Sequence, residues 1–483
     1  MQGVDVAIVG AGAGGLGLAA RLREEDSGPF AILERDEGIG GTWRANTYPG
    51  CACDIPSHLY SFSFAPSAQW TRRYPPRDEI LRYFERLVDE WGLRPHLRLG
   101  TEVTDARFDP HERRWELATT NGHDLRARLL VTACGQLRIP HVPDFPGLDD
   151  FGGAHWHSAR WNHDFDPAGK RVAVVGTGAS AIQVVPELAG VAERLYVFQR
   201  SAPWVVPRHD RAYTRLERKL FAMSPALRKA YRAYIYSYRE ASFLAFQPGS
   251  LMARVYHHLS RRHLEDQVPD PELRAALTPN YPLGCKRVLI TDDYYPVLLR
   301  PDVELVRDAI EEFIPEGVRT NDGTVRELDA VIFATGFDSQ SLVAPMRVEG
   351  PDGRTLDDIW SRGPQAHLGM TVAGMPNLFL LYGPNTNLGH NSILFMMERQ
   401  FDYILECVRE LRRRGAASLE VRPEVMEGFN AELQDVLRDS IWSRGCSSWY
   451  KNDSGIITNN WPRSTFRYWQ ATRRPRFAEF SFA

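Results

Sequence analysis

Two glycine-rich turns, each set between a predicted strand and a predicted helix, constrain this 483-residue chain more than any other feature. The first is a G-x-G-x-x-G pattern at Gly10, Gly12 and Gly15, which follows VDVAIVG and opens LGLAARLRE. In such a turn the first glycine permits the bend, the second lets backbone approach a pyrophosphate, and the third lets helix and strand pack closely. The free amides of the helix N-terminus then face the phosphates. The pattern predicts a dinucleotide-binding unit at the start of the chain.

The second turn repeats this plan in KRVAVVGTGASAIQVVPELA, with alanine at the third glycine position, Ala181. A predicted strand precedes it and a predicted helix follows it, which is the context that makes the pattern specific. We expect the backbone of this turn to bind the pyrophosphate of a second dinucleotide. The residues concerned are Gly176, Thr177, Gly178, Ala179 and Ser180.

The residue that should meet the ribose differs between the two copies. It lies 24 positions after the first glycine in both, and it is Glu34 in the first copy and Arg200 in the second. A carboxylate accepts hydrogen bonds from ribose hydroxyls but repels a 2′-phosphate, whereas a guanidinium binds that phosphate with paired hydrogen bonds. Ser201 can add a hydroxyl contact. The first site therefore suits FAD or NAD and the second suits NADP, which predicts a flavin reduced by a nicotinamide.

The order of these elements predicts an α/β fold with two Rossmann-like dinucleotide-binding domains, one for FAD and one for NADP. Strands ending at Gly135 and Gly336 are the expected crossings between them. We expect a discontinuous FAD domain formed by residues 1–140 and 325–483. Residues 141–324 should form the NADP domain, with a helical insertion at about 205–280. The aromatic stripe in LRKAYRAYIYSYREASF is expected to pack in the core of that insertion.

The bulk composition excludes several classes of function. A formal net charge of −3 gives no case for binding nucleic acid or an anionic membrane. No run of about 18 apolar residues occurs, so no membrane span is expected. The six cysteines show no zinc-ligand spacing, so no metal is expected, and buried thiols in a reduced, cytoplasmic protein are the interpretation we favour. Nothing indicates an obligate protein partner.

Two further motifs carry a family resemblance. GGTWRANTYPGCACD follows the first ribose carboxylate, and FGGAHWHSARW gives F-x-G-x-x-x-H-x-x-x-W through Phe151, Gly153, His157 and Trp161. Together with both glycine turns, nearly the whole chain resembles the flavin-dependent Baeyer–Villiger monooxygenases. The resemblance implies that NADPH and dioxygen convert a ketone to an ester or lactone through a flavin peroxide. It also implies that the second motif couples NADP binding to domain movement. Asn162 departs from the proline or aspartate usual there.

The resemblance also implies roles for single residues. Arg287 is the cation that stabilises developing negative charge, and it suits this role because a guanidinium does not lose its charge. Asp54 anchors it. Lys286 joins Arg200 at the 2′-phosphate, and Trp449 lies near the nicotinamide and the substrate. The remaining implied contacts are those of the flavin pocket, Thr42, Trp43 and Tyr60, and an adenine contact, Val103.

Other flavoproteins remain as alternatives. A relative that oxygenates amines or sulfides shares the two turns, as does a pyridine-nucleotide flavin reductase or a regulatory flavoprotein. A disulfide oxidoreductase would carry a cysteine pair where this chain has Trp43 and Tyr48, and Cys51 and Cys53 are too close for an unstrained disulfide. We expect the ketone pocket to be lined by the helical insertion and by loops near residues 59–70 and 385–392.

Overall fold

The computed structural model describes residues 2–445, 448–452 and 454–483. Its strands, in chain order, are β1 Gln2–Val9, β2 Phe30–Leu33, β3 Leu97–Arg98, β4 Val103–Asp109, β5 Arg114–Thr119, β6 Leu125–Thr132, β7 Ala154–His157, β8 Arg171–Val175, β9 Arg194–Phe198, β10 Val205–Val206, β11 Leu289–Ile290, β12 Val303–Val306, β13 Ile310–Ile314, β14 Gly317–Thr320, β15 Val325–Glu327, β16 Ala330–Phe333, β17 Arg347–Glu349, β18 Leu378–Leu380, β19 Leu419–Val421 and β20 Phe480–Phe482. Its α-helices are α1 Ala13–Glu24, α2 Thr42–Ala45, α3 Arg77–Glu90, α4 Ala181–Leu188, α5 Arg215–Met223, α6 Pro225–Ala241, α7 Leu251–Gln267, α8 Pro271–Ala276, α9 Tyr294–Val297, α10 Leu356–Ile359, α11 Ile393–Arg414, α12 Pro423–Arg438 and α13 Thr465–Thr472.

The first sheet is built around the N-terminal strand. Its strands run in the order β17-β4-β5-β6-β1-β2-β3, and β18 lies beside β6. β1 pairs in parallel with β2 and β6, while β5 is antiparallel to β4 and β6. α1 follows β1 and packs against α11 and α3. A Cβ at Gly17 of α1 would lie 2.6 Å from ring atoms of both Phe401 and Phe62, so glycine permits this close approach.

The second sheet is entirely parallel, in the order β12-β9-β8-β16-β7. β8 leads into α4 as β1 leads into α1, and each glycine turn lies at the carboxyl end of a central strand. The first glycines, Gly10 and Gly176, have φ of 110° and 114°, a conformation that L side chains rarely adopt. The predicted α/β fold with two Rossmann-like domains is confirmed.

The two crossings between the domains lie side by side. The Pro140 and Phe337 positions form an antiparallel bridge. The amide of His141 donates to the carbonyl of Gly336 at 2.9 Å, and that of Asp338 donates to the carbonyl of Ile139 at 2.9 Å. The chain therefore leaves and re-enters the first domain through a short two-stranded connection.

The second segment of the FAD domain begins later than the expected position 325, beyond the strand that leads to the crossing at Gly336. β15 pairs with β14, and β16 pairs with β8 in the second sheet, so this stretch belongs to the second domain as far as Phe333. The sequence signal was the buried run in DAVIFATG, which fits a central strand of either sheet. The division into domains otherwise stays as proposed, with the return to the first domain after Phe333.

The helical insertion is present as α5 to α8, inside the expected range of 205–280. The expectation that its aromatic stripe packs in a core is wrong for Tyr234 and Tyr238, which are 66% and 55% exposed. Ile235 is the buried residue of α6. The reason is that α6 contacts neighbouring elements of the insertion on one side and leaves its other side open.

Most of the cysteines are free thiols, but one departs from that expectation. Cys51, Cys53 and Cys407 are buried and free, and Cys134 is free and partly buried. Cys285 is disulfide-bonded, and Cys446 lies outside the described residues. Among the described residues, no helix has the length and apolar character needed to cross a membrane, and no group of three or more metal-binding side chains occurs.

Candidate active site

A single continuous cavity of about 1020 Å³ joins the two glycine turns. Its wall contains almost all the residues predicted from the sequence as cofactor contacts: Gly10, Gly12, Glu34, Thr42, Trp43, Asp54, Tyr60, Val103, Gly176, Thr177, Gly178, Ala179, Ser180, Arg200, Ser201, Lys286, Arg287 and Trp449. Gly15 lies outside this wall. A Cβ there would come within 1.9 Å of the carbonyl oxygen of Gly10, so its role is to let α1 pack against the turn.

Glu34 lies directly after β2 with its carboxylate beside the first glycine turn. The side chain is buried, and its oxygens accept hydrogen bonds from the amides of Ala11 at 2.7 Å and Asp36 at 3.0 Å. Burial raises the pKa of Glu34, and the two amides oppose that shift. A carboxylate in this position can receive hydroxyl donors from the cavity.

The corresponding position of the second domain is strongly basic. Arg200 is exposed at the end of β9, and Lys286 donates from Nζ to Oγ of Ser201 at 2.8 Å. Burial and the neighbouring Arg200 lower the pKa of Lys286. Neither cation forms an ion pair with a carboxylate of the described residues. Two uncompensated cations and a hydroxyl in one wall form a site for an anion with several oxygens.

Asp54 and Arg287 form an ion pair in the wall between the two turns. Both Nε and Nη2 of Arg287 donate to Oδ2 of Asp54, the first at 3.1 Å. Burial opposes ionisation of Asp54, but Arg287 beside it, with Arg239 and Arg208, holds its pKa below the usual value. Asp54 in turn raises the pKa of Arg287. The guanidinium is therefore permanently charged and held in one orientation.

Two arginines that the sequence did not single out lie behind this pair. Arg239 of α6 donates from Nη2 to the backbone carbonyl of Asp54 at 3.2 Å and to the hydroxyl of Tyr74 at 3.1 Å. Arg208 donates to the carbonyl of Cys53 at 3.3 Å, with its guanidinium 5.1 Å from the centre of the Tyr74 ring. No motif marks either residue in an arginine-rich chain, so only the fold could find them.

Trp43 and Tyr60 meet in the first-domain wall. The Trp43 indole donates to the Tyr60 hydroxyl at 3.0 Å, and the rings meet edge to face with centroids 5.5 Å apart. Burial raises the pKa of Tyr60 well above its usual value, so the phenol stays neutral. These two side chains offer a fixed aromatic surface beside the first turn.

The FGGAHWHSARW motif contains regular secondary structure. Its centre is β7, an edge strand of the second sheet. Gly153 is required by packing, since a Cβ there would lie 2.4 Å from the Phe151 ring. His157 is buried, packs against Phe337 in the second crossing at 5.4 Å between ring centroids, and has its pKa lowered by burial. The motif thus contacts the connection between the domains. Its Ala159 and Arg160 line the cavity, whereas Phe151, Gly153, His157 and Trp161 do not.

The expected lining of the ketone pocket is partly wrong. Tyr60, Asn387, Leu388 and Asn391 contribute from the two predicted loops. Within the described part of the chain, no residue of 205–280 lines the cavity. The insertion instead supports the wall from behind, through Arg208 and Arg239.

The site accommodates two dinucleotides on structural grounds. A Cβ at Gly178 would meet no atom within 4 Å, so the space above the second turn is open for a pyrophosphate. The first turn opens into the same cavity, with the Glu34 carboxylate beside it. Fold and site together define a flavoprotein with a second nucleotide domain, in which a charged pair lies between the two sites.

Comparison with known proteins gives the family. The flavin-binding monooxygenase-like family matches residues 3–342. A Baeyer–Villiger monooxygenase of Streptomyces coelicolor is 44% identical over 99% of this chain and 92% of its own, and one of Pseudomonas aeruginosa is 43% identical over 97% and 89%. The chain belongs to the flavin-binding monooxygenase-like family and, within it, to the Baeyer–Villiger monooxygenases.

Solved structures agree with this assignment. Cyclohexanone monooxygenase from Rhodococcus sp. Phi1 bound to NADP+ superimposes with a TM-score of 0.88 at 30% identity, covering 100% of this chain and 99% of that one. Oxidised steroid monooxygenase bound to NADP gives 0.86 at 30% identity with the same coverage. The predicted cofactors, FAD and NADP(H), are confirmed by these comparisons.

Proposed function

We propose that this enzyme uses NADPH and dioxygen to convert a ketone into an ester or lactone by Baeyer–Villiger oxidation. The observation that carries the proposal is the Asp54–Arg287 pair in the wall of the cavity that joins both nucleotide turns. A flavin reductase or a regulatory flavoprotein forms no oxyanion on a ketone, so it does not need a fixed cation between the two nucleotide turns. The family membership supports the same class of reaction.

The bound flavin supplies electrons taken from NADPH and activates dioxygen, and the chain supplies the electrostatics. Attack on a ketone places negative charge on its carbonyl oxygen, and a preorganised donor aimed there lowers the barrier. Arg287 is the donor, since it lines the cavity and keeps its proton. Asp54 is a positioning residue, because its Oδ2 fixes the guanidinium through two hydrogen bonds.

The basic site at Arg200 selects NADPH over NADH. Arg200, Lys286 and Ser201 together offer two positive charges and a hydroxyl with no internal carboxylate partner. A 2′-phosphate satisfies this set, whereas a neutral ribose hydroxyl leaves both positive charges without a counter-charge. Glu34 occupies the equivalent position of the FAD domain. Thr42, Trp43 and Tyr60 form the flavin pocket, and Val103 is the adenine contact.

The FGGAHWHSARW motif couples nucleotide binding to movement between the domains. His157 touches Phe337 in the second crossing, and β7 pairs with β16, the strand that leads into that crossing. A change in the NADP domain therefore reaches the connection directly. Trp161 supports the motif by packing edge to face on Trp156, with centroids 5.6 Å apart. Trp449, which is 36% exposed in the cavity wall, contacts the nicotinamide and the substrate.

The partners of the enzyme are a small-molecule ketone and dioxygen, with no nucleic acid and no obligate protein partner. The overall charge of −3 supports the absence of a nucleic-acid partner. We place the protein in the cytoplasm, because Cys51, Cys53, Cys134 and Cys407 are free thiols. The disulfide at Cys285 is the observation against that location.

A panel of substrates tests the proposed reaction. The FAD-loaded enzyme is supplied with NADPH and with cyclic, linear or aryl ketones, sulfides or amines, and the products are separated by gas chromatography. The proposal predicts esters or lactones from at least one class of ketone, formed in proportion to the NADPH consumed. Oxides of sulfides or amines in the absence of any ester would assign the enzyme to the N- or S-oxygenases. NADPH consumption without any oxygenated product would assign it to the flavin reductases.

A further inference from the structure

The helical insertion exposes an apolar stripe that the catalytic function does not explain. It lies on α5 and α6, which pack against each other as a hairpin joined at Ser224. We call it the hairpin surface and define it by its large exposed apolar side chains, Leu216 66%, Leu220 43%, Met223 70%, Leu227 39%, Tyr234 66% and Tyr238 55%. Spacings of four and three residues on α5, and of seven and four residues on α6, place these side chains along one line on each helix. An exposed patch of this kind marks an interaction surface.

The flanks of the hairpin surface are positively charged. Residues 215–241 contain seven basic and two acidic side chains, in a chain whose net charge is −3. Arg232 and Arg239 face the FAD domain, which leaves five basic side chains outside that inner contact. Arg215, Arg218, Lys219 and Lys229 are exposed, and none of them forms an ion pair with a carboxylate of the described residues. The low net charge of the whole chain hides this local excess, which is why composition gave no case for an anionic surface.

We propose that the hairpin surface docks on an anionic lipid bilayer, with α5 and α6 lying in the plane of the interface. Helices with an apolar face and lysine or arginine beside it bind in this way, and their affinity rises with anionic lipid. A second copy of this chain fits less well. A symmetric dimer would bring the same unpaired cations together from both copies, and like charges across an interface repel.

The hairpin is also connected to the catalytic cavity. On its inner side Arg232 donates from Nη1 to the carbonyls of His58 at 2.9 Å and Ser61 at 2.7 Å. Arg239, in the last turn of α6, donates to the carbonyl of Asp54. One helix therefore presents tyrosines outward and supports the wall of the cavity inward. Docking would bring that wall close to ketones dissolved in the bilayer.

Vesicle co-sedimentation of the FAD-loaded, full-length enzyme tests the proposal. One set of vesicles is pure phosphatidylcholine, and the other contains equal parts of phosphatidylcholine and phosphatidylglycerol. The proposal predicts that the enzyme sediments with the anionic vesicles alone and is released as salt is raised. Failure to sediment with either set, or equal binding to both, would overturn it.

Two pairs of variants locate the contact. Leu220→Ser/Met223→Ser/Tyr234→Ser should abolish sedimentation, whereas the matched control Val191→Ser/Val325→Ser/Phe466→Ser, at other exposed apolar positions, should not. Lys219→Gln/Lys229→Gln should weaken binding about fivefold for each charge removed, and the control is Lys170→Gln/Arg467→Gln.

All variants should retain bound FAD and NADPH oxidation, so the lysine pair decides the matter if the serine variant misfolds. Unchanged binding in the lysine pair contradicts the proposal. The proposal is also contradicted if the parent enzyme does not bind vesicles but forms a dimer in sedimentation velocity, and the serine variant no longer forms that dimer.

Discussion

Nε and Nη2 of Arg287 both donate to the same oxygen of Asp54, and the two residues are 233 positions apart in the chain. Asp54 follows the first-domain segment after α2, and Arg287 precedes β11 in the second domain. The pair therefore forms only when the two domains are correctly placed. The position of Arg287, the cation needed for oxygenation, therefore depends on the assembly of both nucleotide sites.

Replacing Arg287 should separate NADPH oxidation from oxygenation. In Arg287→Ala the flavin is still reduced, but the charge on the ketone oxygen loses its donor, which costs about 3–4 kcal/mol and lowers ester formation about 10²- to 10³-fold. The measurement compares NADPH consumption with ester and hydrogen peroxide release. Arg287→Lys is the matched control, because lysine keeps the positive charge but lacks the planar guanidinium. It should form more ester than Arg287→Ala and less than the parent enzyme. Full ester formation by Arg287→Ala would show that another residue supplies the cation.

Removing Arg200 should affect NADPH and spare NADH. Loss of charged hydrogen bonds to a 2′-phosphate costs about 1.5–3 kcal/mol, so the KM for NADPH should rise about ten- to a hundredfold in Arg200→Ala. Steady-state kinetics with both nucleotides provide the measurement. Lys170→Ala, an exposed change in the same domain away from the cavity, should leave both values unaltered. Equal losses for NADPH and NADH would remove the phosphate contact from Arg200.

The two glycines of the second turn should behave differently when changed to alanine. Gly178→Ala meets no protein atom, so thermal stability should be unchanged while the added methyl obstructs the pyrophosphate and raises the KM for NADPH at least about tenfold. Gly176→Ala places a Cβ 2.5 Å from the carbonyl oxygen of Ala334 at a φ of 114°. It should lower the melting temperature. Normal NADPH binding by Gly178→Ala would mean that the nucleotide does not approach this turn.

The ionised carboxylate of Glu240 should stabilise the folded enzyme at every pH above the acidic range. Its Oε2 accepts from Asn391 at 2.9 Å and Thr465 at 2.6 Å, and the Nε2 of His390 lies 3.5 Å away. Burial opposes ionisation, but these groups lower the pKa of Glu240 to about 2. Because the folded pKa is below the unfolded value, the stabilisation is complete above about pH 4.5 and is lost as the pH falls towards 2.

Thermal melts of Glu240→Gln test this linkage. At pH 7 the variant should melt about 1–2 °C below the parent, for a loss of about 1–2 kcal/mol in a chain of this size. The gap should narrow as the pH falls below about 4.5 and close as it approaches 2. Glu217→Gln is a useful comparison, since Glu217 has a pKa lowered to about 2 by Arg211 and lies on the exposed helix α5. A gap independent of pH would show that packing, not charge, sets the contribution of Glu240.

How much the sequence could predict depended on how local each signal was. The sequence predicted both glycine turns and the two ribose-site residues, Glu34 and Arg200. These signals are local, because each turn and its ribose-site residue lie within about thirty residues of one another. The start of the second FAD-domain segment was placed too early, at 325, since β16 is buried in a way that fits either sheet. Arg208 and Arg239 reach the Asp54 segment through the tertiary fold, and no spacing encodes that contact. The exposure of Tyr234 and Tyr238 was missed because a helical period gives a face without saying what covers it.

The central claim is that one atom of dioxygen is inserted beside the carbonyl carbon of a ketone. The most direct measurement supplies the FAD-loaded enzyme with NADPH, a ketone that supports turnover and ¹⁸O₂, and analyses the product by mass spectrometry. The account predicts an ester or lactone carrying one ¹⁸O at the bridging position, with the carbonyl oxygen unlabelled. Recovery of unchanged ketone while NADPH is consumed and labelled hydrogen peroxide accumulates, across the whole ketone panel, would contradict it.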